Sequence, residues 1–148
     1  MRTLLMELRP ATLEEASLEA LLRQLAEAAA GREDVSVDVM IECQHKFPPD
    51  VHVALYRIAQ EALNNVVKHA HASQVEIRLC CSGPNPPQEG RVQLCVSDNG
   101  CGFDPTCVLP GRLGLNIMQE RAQAIGGSLA VDSEPGSGTH VTVVWESQ

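Results

Sequence analysis

The chain has 148 residues, 44% of them hydrophobic, which supplies apolar surface for one core and hence one domain. With 11 basic against 19 acidic residues the formal charge is −8, which argues against a nucleic-acid partner, since phosphate backbones are held by clustered Lys and Arg. No run approaches the roughly 20 apolar residues that span a bilayer, and the start has no basic segment leading into an apolar run and cleavage site, so neither membrane contact nor export is expected. The six cysteines, Cys43, Cys80, Cys81, Cys95, Cys101 and Cys107, contain no C-x-x-C pair, and a core of this size needs no staple. They read as reduced thiols of a cytoplasmic protein.

In chain order, Leu4, Leu5 and Leu8 fall at helical spacing until Pro10 ends the segment, so residues 1–10 read as the tail of a helix and residues 11–148 as the domain. Leu18, Leu21, Leu22, Leu25 and Ala29 form the apolar stripe of an amphipathic helix ended by Gly31. Val35, Val37, Val39 and Ile41 alternate with polar residues and predict a strand. Pro48-Pro49-Asp50 then punctuates the chain before a helix of about 20 residues, to His71, with Asp50 as its N-cap.

Strands follow at Val75 to Cys81 and Val92 to Ser97, separated by Ser82-Gly83-Pro84-Asn85-Pro86-Pro87, a run expected to stay out of the ladder. Asp98 to Gly114 lacks periodicity and reads as a long irregular segment. Leu115, Met118, Ala122 and Ile125 mark a third helix stopped by Gly126-Gly127, and strands at Ser128 to Ser133 and Thr139 to Trp145 close the chain. This order implies an α/β sandwich, a mixed and mostly antiparallel sheet of about five strands with three helices on one face. No G-x-G-x-x-G follows a strand, and no P-loop motif is present.

Four segments carry possible chemistry. Glu61, Asn65 and Lys68 lie at i, i+4 and i+7, within about 40° of one helix face. Two readings fit them: an ordinary exposed polar stripe, or a carboxylate that takes a proton, an amide oxygen for Mg²⁺ and an ammonium for phosphate oxygens. Asp98-Asn99-Gly100-Cys101-Gly102 is either a strand-ending turn or a carboxylate beside glycines that let a ligand approach the backbone. Gly111-Arg112-Leu113-Gly114-Leu115 is a flexible loop or a phosphate site at a helix N-terminus. Gly136-Ser137-Gly138-Thr139 is the weakest signal of the four, a turn common between strands.

Taken together and in order, these segments resemble the N, G1, G2 and C-terminal Gly-Thr boxes of the gyrase, chaperone, histidine kinase and mismatch-repair ATPase superfamily. Within it, "LYRIAQEALNNVVKHAHAS", "VSDNGCGF" and "GRLGLNIMQERAQAIGG" are similar to histidine kinases of the nitrate/nitrite-sensor class. "LLMELRP" followed by "LEALLRQLA" is similar to the end of that class's dimerisation helix and its link to the catalytic domain. The resemblance spans nearly the whole chain and implies the Bergerat fold, with ATP held between the helical layer and a mobile lid.

Residue by residue, the resemblance implies that Asn65 binds Mg²⁺, that Lys68 and His69 lie near the phosphates, and that Asp98, helped by Thr139, holds the adenine amine. It further implies that Gly100 and Gly102 line the base pocket, that Gly114 and Leu115 close the lid, and that Glu61 is the acidic residue of the catalytic step. In kinases of this class that carboxylate can instead stand beside the acceptor histidine.

The lid between Gly102 and Gly111 has eight residues, which suits this class. None of His45, His52, His69, His71 and His140 sits in a phospho-acceptor box, so the expected acceptor histidine belongs to a dimerisation domain outside this chain. The implied protein-histidine kinase would pass its phosphoryl group on to a response regulator. The alternatives are an anti-sigma-factor-type serine kinase and a nucleotide-binding scaffold without catalysis; an ATPase of DNA topology or mismatch repair is disfavoured by the acidic charge.

Overall fold

The computed structural model describes residues 17–32, 35–42, 48–67, 72–85, 89–101, 115–134 and 136–146. The expected tail at residues 1–10 lies outside them. Helix α1, Leu18–Arg32, begins at Ser17, whose Oγ accepts the Ala20 N–H at 3.1 Å and so satisfies a donor that the first turn leaves open. Its predicted stripe is buried throughout: Leu18, Leu21, Leu22, Leu25 and Ala29 are all in the core.

Strand β1, Ser36–Ile41, leads to helix α2, Pro49–Asn65. Here the expected cap is corrected. Pro48 is the N-cap and makes no side-chain cap bond, and Pro49, with its fixed φ and no N–H to satisfy, starts the helix two residues earlier than expected. Asp50 instead lies in the first turn, where its Oδ1 accepts the Val51 N–H at 3.0 Å and its charge suits the positive helix end. The backbone loosens into a wider turn at Val66 and Val67, and residues 68–71 lie outside the described ones.

Strands β2, Gln74–Asn85, and β3, Glu89–Asp98, are longer than local sequence predicts. The run at 82–85 does join the ladder: Ser82 pairs with Arg91 and Asn85 with Glu89, with an irregularity between them that takes up Gly83 and Pro84. Cross-strand pairing therefore overrides turn propensity, and Pro84, which has no N–H to donate, falls where the register shifts. Helix α3, Leu115–Ala124, ends as predicted at Gly126, whose φ of 77° lets its N–H reach the Gln123 carbonyl while the Gly127 N–H reaches that of Ala122. Strands β4, Ser128–Ser133, and β5, Thr139–Glu146, complete the chain.

The five strands lie in the order β1-β2-β3-β5-β4. Only β1 and β2 run parallel, with α2 as the crossover between them, and every other pair is antiparallel. The three described helices pack on one face, so alternate positions Val75, Ile77, Leu79, Val92, Leu94, Val96, Val141 and Val143 are buried beneath them. The predicted mixed sandwich is what forms.

The same alternation splits two neighbouring cysteines. Cys80 faces away from the helices, where burial and then the Glu42 carboxylate, 3.5 Å from its sulfur, push the thiol up and keep it protonated. Cys81 faces inward against the core, and it is disulfide-bonded, with a partner outside the described residues. The expectation of reduced thiols thus holds for Cys80, Cys95 and Cys101 and is corrected for Cys81. Disulfides follow spatial proximity, which the spacing of cysteines along a chain does not reveal.

Two glycines on the helical side should respond oppositely to the same substitution. A Cβ on Gly127 would stand 2.7 Å from the Val144 carbonyl oxygen of β5, so Gly127→Ala should lower unfolding free energy by roughly 1–3 kcal/mol in urea titrations. Gly31, near the end of α1 with nothing within 4 Å of that position, should accept Ala with unchanged or improved stability.

Candidate functional site

Three strands change character in the same row of the inward face. Along β3 the inward residues Val92, Leu94 and Val96 are followed by Asp98; along β5, Val143 and Val141 give way to Thr139; β4 ends in Ser133. Register places these three side by side, Asp98 opposite Thr139 and Thr139 opposite Ser133. A polar shelf therefore borders the apolar core at one end of the sheet.

Asp98 is 9% exposed. Its Oδ1 accepts the Gly100 N–H at 2.7 Å, and the Thr139 backbone N–H also donates to the carboxylate. Burial pushes its pKa above the usual aspartate value, and it is opposed by the Gly100 N–H, by the charge of His140 and by the Thr139 N–H. His140 itself lies on the opposite face of the sheet, with Nδ1 2.9 Å from the Ser97 hydroxyl.

Gly138 has φ 83°, and a Cβ there would run into the Asp98 carbonyl, so only glycine lets the 134–138 turn close against this strand end. The Gly136 N–H donates to the Cys101 carbonyl and joins the two glycine-bearing turns. Ser133, buried, donates to the Gly138 carbonyl at 3.1 Å and stands 2.8 Å from the Thr139 hydroxyl. Because the Ser133 proton is engaged with Gly138, the Thr139 hydroxyl donates to Ser133. Sequence reading missed Ser133, which looked like an ordinary strand end.

Of the expected site residues, Asp98, Gly100 and Thr139 come together at this shelf, with Gly100 buried and Thr139 half-buried. Glu61 and Asn65 are half-buried on the least covered side of α2, whereas Asn64 is turned into the core with 4% exposure. Helix α2 packs against β3, the strand that ends in Asp98. Leu115 is the first residue of α3. Lys68, His69, Gly102 and Gly114 lie outside the described residues. Among the described residues no cluster of His, Cys, Asp and Glu could hold a metal by itself, and no helix is long and apolar enough to cross a membrane.

Comparison with known proteins bears on this geometry. The family model described as histidine kinase-, DNA gyrase B-, and HSP90-like ATPase matches residues 50–148. The chain is 37% identical over 143 residues to the sensor histidine kinase LiaS of Bacillus subtilis, covering 97% of this chain and 38% of that protein. It is 33% identical over 150 residues to an uncharacterized sensor-like histidine kinase of Chloroflexus aurantiacus, covering 96% of this chain and 24% of the other. The chain thus spans well under half the length of these relatives. Among solved structures, the ATP binding domain of PrrB from Mycobacterium tuberculosis superposes with a TM-score of 0.65 at 24% identity, covering 90% of this chain and 96% of that one, a likeness of fold.

The buried carboxylate makes a pH signature. Because burial favours the protonated form, the folded chain holds the Asp98 proton more tightly than the unfolded chain does. The resulting stability is fully present below the ordinary value of 3.8 and is lost as the pH rises through the higher folded value. Urea melts across that window should show this loss in the wild type, and Asp98→Asn should remove that part of the pH dependence.

Proposed function

This chain belongs to the histidine kinase-, DNA gyrase B- and HSP90-like ATPase family, and from that membership we propose that it is the ATP-binding catalytic domain of a sensor histidine kinase. It would present the γ-phosphoryl group of ATP to a histidine imidazole on a dimerisation domain outside the chain, for relay to an aspartate on a response regulator. The nitrate/nitrite-sensor class is the one its boxes resemble. The observation that carries the reading is the polar shelf: a buried carboxylate at a strand end, fixed by two backbone N–H groups and flanked by a hydroxyl pair and glycines.

A carboxylate held in this way suits an adenine base. Asp98 accepts hydrogen from the exocyclic amine, and Thr139 borders the base edge beside it. Guanine would turn a carbonyl toward the same carboxylate, and two acceptors facing each other in a buried site cost the desolvation of both. Gly100, lacking a side chain, leaves room for the base to lie against the backbone.

At the other end of the nucleotide, Asn65 supplies an amide oxygen of the kind a hard cation accepts, and Mg²⁺ held there would neutralise phosphate charge. The donor set fits that ion as one ligand among phosphate oxygens and waters, which is how Mg²⁺ is usually held. Glu61, one turn earlier on the same face, is the carboxylate available to accept a proton as the phosphoryl acceptor engages. Lys68 and His69 complete the phosphate side, Gly102 joins Gly100 at the base pocket, and Gly114 and Leu115 form the lid. Phosphoryl transfer needs positioning and charge neutralisation more than covalent help from the protein, and such a residue set provides them.

Titration of the purified chain with ATP, ADP and GTP, with and without Mg²⁺, tests the reading. The wild type should prefer adenine nucleotides, and Asp98→Asn should narrow the gap to GTP. Asn65→Ala should abolish the Mg²⁺-dependent part of ATP affinity with the fold intact by circular dichroism. Equal binding of ATP and GTP by the wild type would remove the adenine assignment, and an unchanged Mg²⁺ effect in Asn65→Ala would remove the metal assignment. Joined to a dimerisation domain bearing a phospho-acceptor histidine, the chain should yield acid-labile, base-stable phosphohistidine from labelled ATP.

A further inference from the structure

Between Asp98 and Gly100 stands a side chain that the proposed chemistry does not use. Asn99 is exposed, yet its amide makes three hydrogen bonds. Its Oδ1 accepts the backbone N–H groups of Ser73 and Gln74, each at 3.0 Å, and its Nδ2 donates to the Ser73 hydroxyl at 3.0 Å. Its own backbone N–H donates to the Gln74 carbonyl at 3.2 Å. An Asn in a strand-ending turn ordinarily bonds backbone two residues ahead. Here Asp98 makes that local bond, to Gly100, while Asn99 reaches back 25 and 26 positions.

The place it reaches matters. Ala72, Ser73 and Gln74 are where the chain, after leaving α2, enters β2. Ser73 also gives its carbonyl to the Ser36 N–H at the start of β1, at 3.0 Å. The chain therefore enters β2 through a junction in which three chain segments meet, and Asn99 is the side chain that closes it.

We propose that Asn99 is a positioning residue that couples the adenine side of the site, carried by Asp98 and Gly100, to the phosphate side, carried by Asn65. The inference rests on the nucleotide-binding reading above. The junction requires one atom that accepts two adjacent N–H groups and a second that pairs with a hydroxyl. An amide does both. A carboxylate keeps the double acceptor and takes the hydroxyl as donor, whereas alanine leaves three groups without their partner.

The test compares Mg²⁺-ATP with adenosine, which lacks every phosphate, on the purified chain by competition against a fluorescent nucleotide. Asn99→Ala should weaken Mg²⁺-ATP roughly tenfold while adenosine shifts far less, so that the ratio of the two affinities falls. Asn99→Asp should restore the ratio to within about twofold of wild type, and Ser73→Ala, which removes only the Nδ2 contact, should lower it by about two- to fivefold. Melting temperatures taken alongside separate this from loss of fold. Should Asn99→Ala fail to fold, Ser73→Ala alone decides.

A ratio that stays at the wild-type value in the folded variants, whatever happens to melting temperature, overturns the proposal and leaves Asn99 a structural turn residue. Wild-type chain that takes up neither ATP nor ADP overturns the nucleotide site itself, and the coupling with it. The two failures are thus told apart by the wild type.

Discussion

Everything in this molecule depends on which side of the sheet is turned toward the helices. Alternation along a strand is strict, so the register that buries Leu94 and Val96 also turns Asp98 inward, two residues further on. A slip by one residue would bury Gln93, Cys95 and Ser97 and put the carboxylate on the open face. Stability and chemistry are therefore specified by one choice, and the hydrophobic core acts as the jig that aims the polar shelf. Thr139 and Ser133 follow from the same rule on the two strands beyond.

Burying a carboxylate at the edge of an apolar core is unfavourable, and the structure offsets it with backbone donors more than with opposite charge. That choice leaves the group fixed in direction without neutralising it. A salt bridge would have occupied the acceptor capacity that an incoming amine needs. The neighbouring turn is built to the same end: Gly138 permits close approach, and Ser133 holds both its carbonyl and the next hydroxyl. Such tension between a group's surroundings and its charge is common at functional sites.

What could be read from the sequence is what local periodicity and local turn chemistry record. The leucine stripe of α1, the valine alternation of β1 and the two glycines closing α3 each announce themselves within a few residues, and the structure has them where they were expected. Asp98 was legible because an acidic residue and two glycines end an apolar strand. Ser133 was not, since only its register against Thr139 makes it part of the shelf; the reach of Asn99 and the bond at Cys81 are likewise facts of pairing between distant segments. The extension of β2 through Gly83 and Pro84 shows the converse, with a ladder carrying residues that local propensity assigns to a turn.

The segment shared with the family begins at residue 50, yet the core does not. Leu21 and Leu22 of α1 are wholly buried, and β1 supplies the neighbour along which β2 runs in parallel. The cooperative unit is thus larger than the stretch that the family model matches. A fragment trimmed to the shared boundary would strip the leucine layer from one side of α2 and leave β2 as a bare edge, with its backbone donors open to any passing strand. Limits drawn from the family model alone would cut through the packing of the core, and the cost would fall on solubility before it fell on nucleotide affinity.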